Sequence, residues 1–275
     1  MKRVLSTHLF ADHRLTTVWL DKIWQAKIPA VEIFCARQHI DWRDRAQLRD
    51  LAAWFRDSEL ELHSLHSPMF TDDVWGRSGP HAVINIAEPV KSKRVQMVDE
   101  IKRSLEIAEM IPCRYLIQHI GVADEEYDER KVDAAFTALE ELNIYAHQRG
   151  VAVLLENIPN GFSNAERLAM FLETTHLDLG FCLDVGHAHI MEGVEHAFSV
   201  MKSRIRSVHL HDNDGRHDQH LFPLSPEGTV DWKKTMELLR STGSGVPLLL
   251  EVKEPPGMSN TVEVAAKAFE KLENC

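Results

Sequence analysis

VAVLLENIP, residues 151–159, is a short apolar run that ends in the carboxylate of Glu156 before its turn residues. The same arrangement recurs in three later runs that end on an acidic or histidine residue: LGFCLD (179–184), IRSVH (205–209) and VPLLLE (246–251). Nearly continuous apolar runs of this length are typical of strands buried on both faces, as in parallel sheets covered by helices. Because an unpaired buried charge is very costly, each such strand end needs a cation or a hydrogen-bond donor beside it.

Apolar runs and amphipathic stretches alternate along nearly the whole chain. The apolar runs predict strands at 3–8, 30–35, 60–66, 113–119, 151–156, 179–184, 205–210 and 246–252. The amphipathic stretches, in which apolar residues recur at steps of three and four, predict helices at 16–27, 43–57, 91–111, 130–149, 163–174, 193–202, 231–241 and 260–273. This alternation of strand and helix indicates an α/β fold, a (β/α)₈ TIM barrel.

The polar strand ends favour a closed barrel over the alternative, an open doubly wound sheet. In a barrel the C-terminal ends of all strands surround one opening, so that distant segments can contribute to one site. In an open sheet the outermost strands would lie too far apart. Because the sequence has no internal linker, low-complexity tract or change in composition, residues 1–275 are predicted to form a single domain.

Composition limits the classes of partner. The net charge is -11, with 31 Lys and Arg against 42 Asp and Glu, which opposes nucleic-acid binding because such surfaces need cations facing phosphates. The 4 cysteines are far apart in the sequence, as expected of free thiols in a reducing compartment. No apolar run approaches the ~20 residues that span a bilayer. We therefore expect a cytoplasmic protein without a membrane partner, and its exposed barrel ends are compatible with a homo-oligomer.

Four residues that end successive strands form a candidate metal site: Glu156, Asp184, His209 and Glu251. Three carboxylates and one imidazole suit a divalent cation such as Mn²⁺, Mg²⁺, Co²⁺ or Zn²⁺. Taken singly, a strand-end aspartate can cap the following helix, and a glutamate can pair with a lysine or arginine. Because four successive strands end in this way, a metal site is favoured over four unrelated pairings.

Further polar residues follow other strand ends, and five of them are candidates for the surroundings of this site: His66, His119, His187, Asp218 and His220. One hypothesis is that they hold a second and a third metal, with Glu156 as a bridge. The other, which we favour, is that they bond to substrate hydroxyls beside a single metal. His8 is expected to line the mouth of the barrel, and His211 is expected in the core or behind a ligand.

Two long loops, 67–90 and 211–230, follow the third and seventh predicted strands at the same end of the barrel. Loops of this length in a compact domain are usually functional or disordered. Trp75 in the first loop predicts hydrophobic cover for a substrate, and a mobile surface flap is the alternative. Arg37 and Lys253 are weaker candidates for substrate contact, and a surface ion pair is the simpler explanation for Arg37.

These residues resemble the xylose isomerase-like superfamily, which joins sugar and sugar-phosphate isomerases and epimerases with endonuclease IV (AP endonuclease family 2). The resemblance covers essentially the whole chain, through the strings LLENIP, FCLDVGHAHI, VHLHDN, DQHLFPLSPEGTVDW and LLLEVKEP. It implies a TIM barrel with a metal bound at Glu156, Asp184, His209 and Glu251. In the sugar branch, it implies proton transfer by the two glutamates and substrate contact by His187. In the endonuclease branch, up to three zinc ions take extra ligands that match His66, His119, His187, Asp218 and His220.

Two positions depart from the resemblance. Phe162 stands six residues after Glu156, where some sugar epimerases carry an acidic residue, and this argues against a close match to ketose 3-epimerases. Residues 223–228 read PLSPEG, with Ser225 and Pro226 where a glycine is usual. A close approach of the backbone at those two positions would lack the residue that most easily permits it.

The favoured hypothesis is a divalent-metal-dependent isomerase or epimerase of a sugar, a sugar phosphate or a polyol derivative. The metal would stabilise an enediolate while Glu156 and Glu251 transfer the proton. The first alternative is a zinc-dependent endonuclease that cleaves DNA at abasic sites, which the number of candidate ligands favours and the overall charge opposes. The second alternative is a dehydratase of keto-polyols that uses the same barrel.

Overall fold

The computed structural model describes residues 1–243 and 245–275, and these residues form an alternating series of strands and helices. The strands are β1 (Arg3–Ser6), β2 (Ala30–Phe34), β3 (Glu61–His66), β4 (Tyr115–Gln118), β5 (Ala152–Glu156), β6 (Gly180–Asp184), β7 (Ile205–His209) and β8 (Leu248–Leu250). The helices are α1 (Thr17–Gln25), α2 (Arg45–Arg56), α3 (Lys91–Leu105), α4 (Glu129–His147), α5 (Ala165–Thr175), α6 (Val185–Ile190), α7 (Val194–Met201), α8 (Trp232–Ser241) and α9 (Thr261–Glu273). Among the described residues, no helix combines the length and the apolar character needed to cross a membrane.

The strands close into a barrel. They are parallel and follow the order β7-β6-β5-β4-β3-β2-β1-β8. The two ends of this order meet where Leu210 pairs with Leu250. There the Leu210 N–H donates to the Leu249 carbonyl at 2.8 Å, and the Glu251 N–H donates to the Leu210 carbonyl at 3.2 Å. The predicted (β/α)₈ TIM barrel is therefore confirmed, and the open sheet is not formed.

Much of the barrel wall is apolar on both sides, which explains why most of its strands read as continuous hydrophobic runs. Inside the barrel, Ile117, Leu154 and Cys182 pack against one another. Neighbouring residues of β5, such as Val153 and Leu155, pack into the larger core shared with the outer helices. Strand residues therefore lose contact with water on both faces, as parallel strands under helices do.

One helix lies outside the predicted pattern. α6 is only 6 residues long and begins directly after β6, so its apolar residues repeat too few times to show a period. Asp184 caps it, because the carboxylate accepts the N–H of His187 at 2.6 Å. Helix capping, the alternative explanation for an aspartate at a strand end, therefore applies to Asp184. The same residue also faces the site described below.

Asp212 holds the long loop 211–230 in place. Its buried carboxylate accepts the N–H groups of Leu224 at 3.2 Å and Val230 at 3.1 Å, and the indole N–H of Trp232 at 2.6 Å. A Cβ on Gly228 would lie 2.2 Å from this carboxylate, so only glycine fits there. The close backbone approach in this loop is therefore made at Gly228.

Asp212→Ala is expected to lower the free energy of unfolding by about 2–4 kcal/mol, because it leaves buried donors without an acceptor. Urea unfolding followed by fluorescence measures the change. Glu227→Ala, at an exposed position of the same loop, serves as the control and should cost no more than about 0.5 kcal/mol. Equal stability of the two variants would contradict the assigned role of Asp212.

Candidate functional site

The four strand-end residues of the predicted metal site lie together, and we call them the inner cluster. Glu156, Asp184 and His209 end β5, β6 and β7, and Glu251 follows β8. One potential ligand atom from each residue lies within 4.8 Å of the others, and all four residues are buried. His209 Nδ1 is 2.9 Å from Glu156 Oε1, 3.2 Å from Glu251 Oε2 and 3.8 Å from Asp184 Oδ2. The barrel thus converts four distant sequence positions into one set of converging side chains.

Three carboxyl groups of this inner cluster lie close to one another around a single imidazole. Burial alone would raise the pKa of Glu156 and Glu251, but His209 beside them holds both well below their ordinary value. Burial would lower the pKa of His209, yet the surrounding acidic groups raise it well above its ordinary value. Within the described part of the chain, Asp184 Oδ2 and Glu251 Oε1 are buried and have no hydrogen-bond partner. Carboxylates that share one imidazole and leave oxygens without donors fit a divalent cation.

Glu156 also belongs to a second cluster, with His66 and His119. Its Oε2 atom lies 2.9 Å from His119 Nε2 and 3.4 Å from His66 Nε2. Burial opposes protonation of His66, but the hydrogen bond to Glu156 raises its pKa to about 9. Burial lowers the pKa of His119. Because Oε1 faces the inner cluster and Oε2 faces this one, a single carboxylate joins the two groups.

A third cluster lies beside Asp184 and consists of His187, His211, Asp218 and His220. His187 Nε2 and His220 Nε2 each lie 3.3 Å from Asp218 Oδ2. Although burial opposes it, Asp184 and Asp218 raise the pKa of His187 to about 10. His211 stacks on His220 with ring centroids 3.9 Å apart, so it is part of this cluster as well as part of the core.

Three histidines of the second and third clusters share one mode of attachment. The Nδ1 atom of each lies 2.9 Å from a main-chain carbonyl oxygen, in the pairs His66–Ser67, His187–Asn157 and His220–Glu251. Because a carbonyl oxygen only accepts, Nδ1 must carry the donated proton. When such a ring is neutral, its Nε2 atom is free to accept a hydrogen bond or to bind a cation.

Glu32 is a site residue that the strand-end pattern does not reveal. It lies in the middle of β2 and is fully buried. Its Oε2 atom accepts the Ser64 hydroxyl at 2.7 Å and lies 3.2 Å from His209 Nε2. The available signal was the string AVEIF, in which one carboxylate interrupts an apolar strand and therefore requires a partner.

A cavity of about 580 Å³ opens onto the clusters at the C-terminal end of the barrel. Both long loops contribute to its lining. Its aromatic wall is built on Trp75, whose ring centroid lies 5.0 Å from that of Phe34 and 5.9 Å from that of His8. Phe70 extends the same wall, so the loop 67–90 covers part of the cavity with apolar groups.

The weaker sequence candidates occupy different places. Trp75 and Lys253 line the cavity. Arg37 instead lies 3.4 Å from Asp41 and from the carbonyl of Thr71, which is the surface ion pair that the sequence offered as the simpler explanation. Phe162, at the position where some epimerases carry an acid, is buried with its ring 5.6 Å from that of Tyr127.

Comparisons with known proteins agree with this fold. The family model described as xylose isomerase-like TIM barrel matches residues 20–275. A probable endonuclease 4 from Natronomonas pharaonis is 29% identical over 150 residues, which cover 50% of this chain and 53% of that relative. A solved D-tagatose 3-epimerase-like protein has a TM-score of 0.76 and 24% identity, over 100% of this chain and 99% of that one. The IolI protein with a bound zinc atom has a TM-score of 0.76 and 18% identity, over 99% and 96% of the chains.

Proposed function

Because the chain belongs to the xylose isomerase-like TIM barrel family, we propose that it is a divalent-metal-dependent isomerase or epimerase of a small carbohydrate. One observation carries the proposal: two buried carboxylates, Glu156 and Glu251, border a cavity of about 580 Å³. A cavity of this volume suits a small molecule. Buried acid–base groups at its base suit chemistry on that molecule.

The inner cluster would hold the cation, which is Mn²⁺, Mg²⁺, Co²⁺ or Zn²⁺, through Glu156, Asp184, His209 and Glu251. The buried oxygens of Asp184 and Glu251 that have no partner among the described residues support this assignment. When bound, such a cation polarises a substrate carbonyl and makes the adjacent C–H bond more acidic. The outer histidines would bond to substrate hydroxyls.

Glu156 and Glu251 would transfer the proton. His209 keeps the pKa of both groups below the ordinary value despite their burial, so both are carboxylates at neutral pH and can act as bases. One carboxylate would take a proton from a substrate carbon and return it to the neighbouring carbon, while the hydroxyl proton moves to the former carbonyl oxygen; the result is isomerisation. Delivery of a proton by the other carboxylate to the opposite face of the same carbon would be epimerisation.

The aromatic wall and the outer histidines would position the substrate. His187 and His220 line the cavity, and their Nδ1 atoms are attached to main-chain carbonyls, so Nε2, which faces Asp218, is the nitrogen that a substrate hydroxyl would meet. Trp75 offers a flat apolar surface to the C–H face of a sugar ring or chain. Lys253 would contact a polar substituent near the mouth.

Trp75→Ala is expected to raise KM about tenfold with little change in kcat, because it removes packing that is equal in the ground and transition states. Steady-state kinetics on the substrate identified below measures both constants. The control is Trp54→Ala, whose indole bonds to Asp21 at 2.9 Å outside the cavity and should leave both constants unchanged. A fall in kcat at constant KM would contradict this role for Trp75.

A zinc-dependent endonuclease for abasic DNA is the second candidate function. Three neighbouring groups of histidine and carboxylate residues favour it, because they offer enough ligands for more than one ion. The partial likeness to a probable endonuclease 4 also supports it. The net charge of -11 opposes it, since affinity for DNA depends on cations that neutralise phosphates.

The test is incubation of the metal-loaded protein with a panel of ketoses and aldoses in D₂O. Deuterium incorporated into a sugar of unchanged formula supports the isomerase or epimerase. Loss of one water molecule from the sugar identifies the dehydratase instead. Cleavage of an abasic DNA duplex, without exchange into any sugar and with three tightly bound zinc ions by metal analysis, would replace the proposal with the endonuclease.

A further inference from the structure

We propose that Glu32 positions His209 for cation binding by determining which ring nitrogen keeps its proton. This inference rests on the proposed cation site of the inner cluster. Glu32 was not among the residues expected from the sequence, and none of its contacts is to the cavity. It acts, in our proposal, only through the imidazole of His209.

The location of Glu32 is unusual for a carboxylate. The side chain lies inside the barrel on β2, in a strand whose five residues are all buried. A buried carboxylate in an apolar strand is destabilising unless other groups compensate it. Within the described residues its Oε1 atom has no hydrogen-bond partner, so the compensation comes through Oε2. The partners of Oε2 therefore indicate what the residue does.

Those partners connect opposite sides of the barrel. Ser64, which pairs with Glu32 across β2 and β3, donates its hydroxyl to Oε2 at 2.7 Å. His209 comes from β7 and places Nε2 at 3.2 Å from the same oxygen. Ser64 and His209 are both fully buried, so water does not compete for these contacts. Glu32 is thereby held from one side and bonded to the inner cluster on the other.

The contact with Glu32 determines the tautomer of His209. Because a carboxylate oxygen accepts, Nε2 keeps its proton against Glu32, and the ring proton that a cation would displace is the one on Nδ1. Nδ1 is then the atom that faces Glu156 at 2.9 Å and Glu251 at 3.2 Å. Without Glu32 the same two carboxylates would draw the single proton of a neutral ring onto Nδ1. A proton on Nδ1 would occupy the direction from which a cation must be bound.

His209 differs in this respect from the other attached histidines. In three of them Nδ1 bonds to a main-chain carbonyl and Nε2 is the nitrogen that faces the cavity or a carboxylate: His66, His187 and His220. His209 instead places Nε2 against the carboxyl group of a side chain, that of Glu32. A carboxylate behind a histidine raises the basicity of the ligand nitrogen more than a neutral carbonyl does. The inner cluster therefore has a stronger nitrogen donor than the three histidines that are attached to main-chain carbonyls.

The experiment compares cation affinity in matched variants of the full chain. Glu32→Gln retains the shape and removes the charge, Glu32→Asp retains the charge, and Glu100→Gln is the control. Glu100, on α3 outside the barrel, is also buried, but it bonds to Trp42 and Arg43. Chelator-stripped proteins are titrated calorimetrically with ZnCl₂ and with MnCl₂, and their thermal unfolding is recorded without metal.

Glu32→Gln is expected to weaken cation binding about 10- to 100-fold, the usual range for a residue behind a ligand. Glu32→Asp should recover part of this loss, and Glu100→Gln should leave the dissociation constant unchanged even where its unfolding temperature falls. A loss of about threefold or less in Glu32→Gln would overturn the inference while the cation site stands. An equal loss in Glu100→Gln would overturn it too, because the effect would then be general destabilisation.

A second measurement does not depend on the folding of any Glu32 variant. Wild-type protein with ¹⁵N-labelled histidine and bound zinc should show His209 protonated at Nε2, with its resonance assigned by comparison with His209→Gln. Protonation at Nδ1 would overturn the inference. If wild-type protein binds neither zinc nor manganese, the proposed function and the inference fail together.

Discussion

Glu251→Gln is expected to abolish the incorporation of solvent deuterium into the substrate while the cation stays bound. Glu251 borders the cavity and is a carboxylate at neutral pH, because His209 lowers its pKa despite its burial. Glutamine keeps an oxygen that can face the cation but cannot accept a proton. Loss of a general base typically costs about 10²–10⁴-fold in rate. Mass spectrometry of the recovered sugar measures the exchange, and metal analysis measures the bound ion.

The matched control for this variant is Glu254→Gln. Glu254 lies three residues further along the chain and pairs with His13 at 3.2 Å, outside the cavity. Its exchange rate should equal that of the wild type. Undiminished exchange in metal-loaded Glu251→Gln would show that Glu251 is not the base. Loss of exchange in Glu156→Gln alone would then assign proton transfer to the other carboxylate.

Asp184→Asn is expected to remove the stabilisation that a divalent cation gives to the fold. A ligand at about 100 times its Kd stabilises the native state by about 2.7 kcal/mol. Asp184 uses Oδ1 to cap α6, and its Oδ2 atom is buried without a partner among the described residues. Asparagine retains the capping oxygen but replaces the other oxygen with an amide group that cannot bind a cation. A hundredfold weaker site would reduce the gain to about 0.4 kcal/mol.

Urea unfolding with and without MnCl₂ measures this difference. Asp44→Asn is the control, because Asp44 is also a capping aspartate and accepts the N–H groups of Ala46 and Gln47 at the start of α2. That variant should keep the full gain from the cation. If Asp184→Asn is stabilised by manganese as strongly as the wild type, Asp184 is not a ligand.

Local patterns in the sequence were sufficient to predict the barrel and the convergence of the strand ends. Each buried strand leaves an apolar run, and each parallel strand places its last residue at the same end of the barrel, so Glu156 and Glu251 could be assigned to one site without any contact information. The sequence did not predict α6, because six residues are too few to display a helical period. The strand ends were predictable because an apolar run stops there and is followed at once by an acidic or histidine residue.

The remaining parts of the site depend on contacts between distant residues. Glu32 lies within its strand, and its contact with the inner cluster is made through His209, 177 residues away. The aromatic wall depends on how the loop 67–90 folds back on itself, where Phe70 pairs with Val83. Arg37 could be assigned only when Asp41 was seen beside it. Interior partners and loop shape are therefore tertiary properties that a linear pattern does not contain.

The attachment of three histidines to main-chain carbonyls has a consequence for how this protein can diverge. A carbonyl belongs to the backbone, so exchanging the side chain of Ser67 leaves the acceptor of His66 in place. The orientation of these imidazoles therefore depends on backbone atoms and not on the side chains of the residues that supply the carbonyls. Substitutions around the cavity can therefore change which molecule it accepts, while the ring nitrogens of these histidines keep their directions.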